Sequence, residues 1–256
     1  MTELVLISRE DAVATVTLNR PEKRNALDLG LRGAIADAFR ELARDEQVRA
    51  IVITGGSEVF AAGADLNLLV DKGSQQMADI DLGQYWAPVA NCSKPVVAAV
   101  SGFALGAGCE LAMMCDIIVA DESARFGQPE VRVGIMPGAG GTQRLIRALG
   151  KATASMVLMS GEAITGARAY QLGLISDLAE PDQTLSRAQQ LAKAASNMPP
   201  RAIAAIKRVL KQGADLPLEA ALTIENREFL LLFDSEDKCE GMSAFLEKRQ
   251  AVFTGR

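Results

Sequence analysis

The 256-residue chain contains no histidine. That absence removes Ser–His–Asp and Cys–His nucleophilic machinery and the commonest metal ligand. Proton transfer near neutral pH is then left to carboxylates, Lys, Tyr, Cys or backbone groups. Aromatic residues are scarce, with one Trp and two Tyr, and Ala, Leu, Val and Gly dominate. Small side chains let helices and strands approach closely, which fits a compact α/β body. The four cysteines, Cys92, Cys109, Cys115 and Cys239, show no CxxC spacing. Cys109 and Cys115 flank an apolar run, and they read as buried free thiols of a reducing compartment. No apolar run reaches the length of a membrane span. The opening MTELVLISRED carries acids and no basic, apolar export pattern. A cytoplasmic protein without a membrane partner is expected. The net charge of −5 is not the basic footprint of a nucleic-acid binder, so no such partner is expected. A few placed Lys or Arg residues can still hold a small anion.

What is present is organised as an α/β half followed by helices. Two β-rich stretches open the chain, Leu4–Ser8 and Ala12–Leu18. A polar loop, Asn19-Arg-Pro-Glu-Lys-Arg-Asn25, follows. Leu27, Leu31, Ile35, Ala38, Phe39 and Leu42 fall at helical spacing and predict an amphipathic helix. The apolar runs Arg49–Gly55, Pro95–Val100 and Ile117–Ala120 read as buried strands, and their alternation with helices predicts a mostly parallel sheet covered on both faces. From about residue 142 the pattern is helical alone: 142–149, 152–160, 167–172, 185–196, 201–211, 218–232 and a last helix over 240–252. The expected division is an α/β core over 1–195 and a C-terminal helical region over 196–256.

Three glycine-marked turns carry the chemistry. The first is Phe60-Ala-Ala-Gly-Ala-Asp65. The second is Gly102-Phe-Ala-Leu-Gly-Ala-Gly108, leading into Cys109-Glu-Leu-Ala-Met-Met114. Ligands of open α/β sheets sit at the carboxyl ends of the strands, and helix N-termini offer unpaired N–H groups. Such a pair of turns can hold a carbonyl oxygen that becomes negative; equally, each can be packing punctuation. Neither Gly106-Ala-Gly108 nor the 138–142 run completes a dinucleotide fingerprint, which disfavours a nicotinamide or flavin cofactor. The third turn, 126–144, offers Glu130. Taken singly, Glu130 reads as a solvated loop acid, and Glu110 reads as a first-turn acid at a helix dipole. The apolar neighbours of Glu110 predict burial, which raises a carboxyl pKa toward the range useful for proton transfer.

The segments Asn19–Leu27, Phe60–Leu66, Gly102–Ala112 and Phe126–Arg144, with Glu240–Arg249 near the end, resemble the enoyl-CoA hydratase (crotonase) family in order and spacing. The resemblance implies a crotonase-like spiral of ββα units with a C-terminal helical trimerisation region, and a homotrimer or homohexamer. It implies an oxyanion hole from the Ala64 and Ala107 N–H groups, although the family usually has Gly at the position of Ala107. It assigns Glu110 as general base and Glu130 as general acid in adding water to a trans-2-enoyl-CoA to give a 3-hydroxyacyl-CoA. Gly138 matches a backbone position beside the water, and Gln128 is placed to orient Glu130. Arg24, Ala26, Leu27, Ala62 and Asp65 are expected to hold coenzyme A, with Phe245 and Lys248 of a neighbouring subunit. No metal or separate cofactor is expected; the coenzyme belongs to the acyl-CoA substrate. Within the family the chain is particularly similar to bacterial hydratases of phenylacetate catabolism that act on 2,3-dehydroadipyl-CoA, while Asn67, Leu68 and 75–86 are expected around the acyl chain. The rivals are an isomerase working with one carboxylate and a non-enzymatic RNA- or CoA-binding protein.

Overall fold

A computed structural model describes residues 3–256. The elements in chain order are β1 (Val5–Glu10), β2 (Val13–Leu18), α1 (Leu29–Arg44), β3 (Ala50–Thr54), α2 (Ser74–Ile80), α3 (Gly83–Ala90), β4 (Val96–Val100), β5 (Phe103–Leu105), α4 (Ala107–Met114), β6 (Ile117–Ala120) and β7 (Arg125–Gly127). There follow α5 (Gly141–Ser160), β8 (Ile164–Thr165), α6 (Gly166–Gln171), β9 (Asp177–Leu178), α7 (Thr184–Ser196), α8 (Pro200–Gly213), α9 (Leu218–Leu231) and α10 (Glu236–Glu247).

Six strands form one sheet in the order β1-β2-β3-β4-β6-β9, and β5-β7-β8 form a smaller one. Only the β1–β2 edge of the large sheet is antiparallel. The fully buried runs of β3 and β4 are explained by cover on both faces. On one face, Val52, Val97, Ala99 and Val119 pack on Ala188 and Ala192 of α7. On the other, Ile51, Ile53 and Ala98 join the larger core with Leu31, Ile35 and Phe39 of α1. Each such Leu, Ile or Phe contributes about 1.5–3 kcal/mol by leaving water. Asp28 starts α1 by accepting the Leu31 N–H at 2.8 Å.

Three expectations are corrected. The helical second half also contains β8 and β9, two residues each; runs that short carry no alternation pattern. The last helix is Glu236–Glu247, not 240–252. Ser235 caps it through the Lys238 N–H, and Lys248 ends it in a left-handed conformation. The chain then folds back, with Arg249 and the Val252 N–H both on Glu240. The helices expected over 142–149 and 152–160 are the two arms of α5, broken at Gly150, whose φ is 70° and ψ 168°.

The arrangement brings the turns together. The bridges Leu27↔Ala64 and Ala61↔Ala104 lay the loop before α1, the turn after β3 and strand β5 side by side. Among the described residues, no helix is long and apolar enough to cross a membrane.

Candidate active site

Helix α4 is apolar apart from Glu110 and is buried on nearly every side, as expected of a helix without a polar face. It begins at Gly106, whose φ of 50° and ψ of −125° only glycine adopts readily. A Cβ there would also lie 2.7 Å from Oε1 of Glu130. The turn therefore lets the Glu130 carboxyl rest against the backbone at the start of α4. Glu130 itself is brought in by a 3₁₀ turn, Pro129–Val133, which follows β7.

Glu110 is 2% exposed. Its Oε1 accepts the N–H groups of Ala139 and Gly141, each at 2.7 Å. Burial raises its pKa, while those two N–H groups and the positive charges of Arg32 and Arg144 act in the opposite sense. Glu130 has no comparable grip. Burial is the main cause that pushes its pKa up to about 7; its own backbone N–H opposes the rise, and the negative charge of Glu110 adds to it. Gln128, fully buried, faces the Glu130 carboxyl, and its amide nitrogen reaches both Glu130 oxygens at 3.2 Å only when the amide is turned over from its orientation in the structure. Two carboxyls near enough for the charge of one to act on the other thus differ in environment, with the better hydrogen-bonded Glu110 favoured as the anion and Glu130 as the acid.

Two backbone donors lie unused beside them. Among the described residues, neither the Ala64 N–H nor the Ala107 N–H has a hydrogen-bond acceptor. Around Ala64, the neighbouring groups are all engaged: Leu27 N–H donates to Gly63 O at 2.8 Å, Ala62 N–H to Arg24 O at 3.0 Å and Asp65 N–H to Leu27 O at 3.3 Å. Ala107 is the first residue of α4, where a helix leaves its N–H free. Its φ is not positive, so its methyl causes no strain there.

The loop carrying Arg24, Ala26 and Leu27 lies against the turn carrying Ala62 and Asp65. Arg20 binds this cluster through the Ala26 carbonyl at 2.8 Å and Asp65 at 3.1 Å. Leu27 is fully buried, and its N–H and carbonyl are taken up by Gly63, Asp65 and Arg32, so it supports the cluster rather than offering a group to a ligand. Gly138 is exposed with open space about its Cα, next to the Ala139 donor. Phe245, 82% exposed, and Lys248 lie at the end of α10, apart in sequence from this cluster.

Sequence reasoning missed the Ala139 and Gly141 donors. The signal was present: Gly140-Gly141-Thr142 opens α5, and a helix start is an anion site. It also missed Arg32, which lies on the buried side of α1 with Ile35 and Phe39. A charge on an apolar helical stripe was the cue.

Residues 8–256 match the family model described as enoyl-CoA hydratase/isomerase. The chain is 48% identical over 256 residues to the 2,3-dehydroadipyl-CoA hydratase of Escherichia coli (strain K12), covering 100% of both chains. It is 41% identical over 247 residues to the mitochondrial enoyl-CoA hydratase of Pongo abelii, covering 96% of this chain and 84% of that one. The fold superposes on a crystal structure of an enoyl-CoA hydratase from Bacillus anthracis with a TM-score of 0.93 at 29% identity, covering 99% of this chain and 100% of the other. The chain belongs to the enoyl-CoA hydratase/isomerase family.

Proposed function

Within that family, we propose that the chain is an enoyl-CoA hydratase whose acid–base pair is Glu110 and Glu130. The observation that carries this reading is the pair of carboxyls in unequal environments beside two free backbone donors. The Ala64 and Ala107 N–H groups hold the thioester oxygen of a trans-2-enoyl-CoA, which makes C3 electrophilic. Ionised Glu110 takes a proton from the water that attacks C3. Protonated Glu130 delivers a proton to C2, and the product is a 3-hydroxyacyl-CoA. One oxyanion donor is worth about 3–4 kcal/mol, and positioned acid–base groups supply about 10²–10⁴-fold. An isomerase needs one carboxylate to carry a proton between carbons; the presence of two, separately tuned, favours hydration.

The finer substrate is 2,3-dehydroadipyl-CoA, supported by the 48% identity to a hydratase of that name. The coenzyme lies over Arg24, Ala26, Ala62 and Asp65, with buried Leu27 holding that loop in place, and Gly138 borders the water. The wider reading includes a ββα spiral, supported by the strands β4 and β5 that lead into α4. It includes a homotrimer built through the C-terminal region, supported by the exposed Leu210, Leu218, Phe229, Leu230, Phe245 and Leu246. An apolar patch of that kind marks an interaction surface, and Phe245 and Lys248 reach a neighbour's coenzyme in this reading. A cytoplasmic location agrees with four free cysteines.

Steady-state hydration of crotonyl-CoA and 2,3-dehydroadipyl-CoA by Glu110→Gln and Glu130→Gln tests the assignment. Each variant is expected to lose at least about 10²-fold in kcat, and near-wild-type turnover by either would overturn it. Sedimentation of the full chain reads the assembly: a monomer would remove the trimer from the reading.

A further inference from the structure

Arg32 is a buried cation that forms no salt bridge with any described residue. It is 2% exposed, and its Nε donates to the Leu27 carbonyl at 3.0 Å. Its guanidinium lies over the ring of Trp86 of α3, with Cζ 4.8 Å from the centroid. The Nη groups make no hydrogen bond to any described residue. Three acidic groups reach it with their charge, Glu110, Asp28 and Tyr85, and the two carboxylates among them are held elsewhere. Asp28 caps α1 and pairs with Arg20 at 3.2 Å; Glu110 is gripped by Ala139 and Gly141. Trp86 adds a second lone donor, since its buried Nε1 finds no acceptor among the described residues.

Buried charges in proteins are normally paired, because an uncompensated one is costly. A guanidinium presents a planar fork matched to a carboxylate. The place where this one lies is set by three elements: α1 carries it, α3 supplies the ring beneath it, and Glu110 of α4 is near enough to feel its charge. It therefore lies in the core beside Trp86, which ends the segment expected to surround the acyl chain, and within reach of the charge of Glu110.

We propose that Arg32 binds the carboxylate at the far end of the acyl chain of a dicarboxylic enoyl-CoA, and so determines specificity for such substrates. This rests on the hydratase reading and gives its acyl preference a physical cause. A methyl-ended chain leaves the guanidinium without an ion pair, whereas a carboxylate-ended chain supplies one. Selection then follows from the cost of the unpaired charge as much as from the new ion pair. Burial lowers the Arg32 pKa to about 10, against the opposing charges of Glu110 and Asp28. The side chain thus remains charged at neutral pH and able to take an anion.

The test is the ratio of kcat/KM for 2,3-dehydroadipyl-CoA to that for trans-2-hexenoyl-CoA, which has the same chain length but ends in a methyl group. A ratio cancels any effect of Arg32 on Glu110, because both substrates need the same proton transfers. Arg32→Leu is expected to lower the ratio about 100-fold, chiefly through KM for the diacid. Arg32→Lys, which keeps the charge but loses the fork and the stacking, is expected to lower it about tenfold. An unchanged ratio in these variants overturns the role of Arg32; if Arg32→Leu fails to fold, the Lys variant decides. A wild-type ratio at or below one overturns the diacid substrate instead, and absence of hydration with both substrates overturns the hydratase reading.

Discussion

Replacing Glu130 with Gln is expected to stabilise the protein at alkaline pH while abolishing most of its activity. The folded-state pKa is pushed from the ordinary 4.5 to about 7, mainly by burial. An unfolded chain therefore holds fewer protons at this position than the native one between those two values, and native stability falls as pH rises through that window. Below pH 4.5 both states carry the neutral acid and the contribution is intact; above about 7 it is fully lost. A completely buried carboxyl with this pKa would cost about 3 kcal/mol. Glu130 is only half-buried, so screening by water reduces the expected cost to about 1–2 kcal/mol. Gln matches the neutral acid in shape and does not ionise. The stability difference between variant and wild type should thus grow by about 1–2 kcal/mol between pH 5 and pH 8 in the variant's favour. Urea denaturation at fixed protomer concentration measures it. A difference that stays constant over that range, or moves toward the wild type, would refute the claim that the site holds Glu130 protonated by desolvation.

Two further outcomes follow from the same geometry. The wild-type kcat/KM for hydration should fall about tenfold per pH unit above about 7, as the general acid loses its proton; a rate level to pH 9 would count against Glu130 as the donor. Gly106→Ala should reduce kcat at least about tenfold and destabilise by about 1–3 kcal/mol, because the new Cβ meets Oε1 of Glu130 at 2.7 Å on a backbone with φ of 50°; unaltered kinetics and melting would show that this turn has other room to adjust.

Much of the architecture is legible in the chain because the relevant signals are local. The runs of β3 and β4 and the 3.6-residue stripe of α1 each extend over enough residues to declare their period. Strands β8 and β9 do not, since two residues have no period and owe their state to partners distant in sequence. The end of α10 escapes for a related reason. Its apolar residues Met242, Phe245 and Leu246 mark a helix, but its stop is set by Lys248 and by the return of Arg249 to Glu240.

The candidate site divides along the same line. Glu110 and Glu130 are conspicuous as side chains once histidine is absent, yet their difference in acidity is not written at either position. It arises because residues 139–141, about thirty positions beyond Glu110, return two N–H groups to that carboxyl and offer none to Glu130. The free Ala64 and Ala107 donors have a similar origin, defined by what their neighbours already bind. Arg32 is the opposite case, a local signal with a non-local meaning. Its spacing on α1 is enough to mark a charge among core positions. That the charge has no partner becomes evident only when Asp28 is seen turned to Arg20 and Glu110 turned to the start of α5. Chemistry in this chain therefore depends on which donors and acceptors remain after folding has matched the rest, and three of those remainders, Arg32, the Trp86 Nε1 and the Ala107 N–H, lie on α1, α3 and α4.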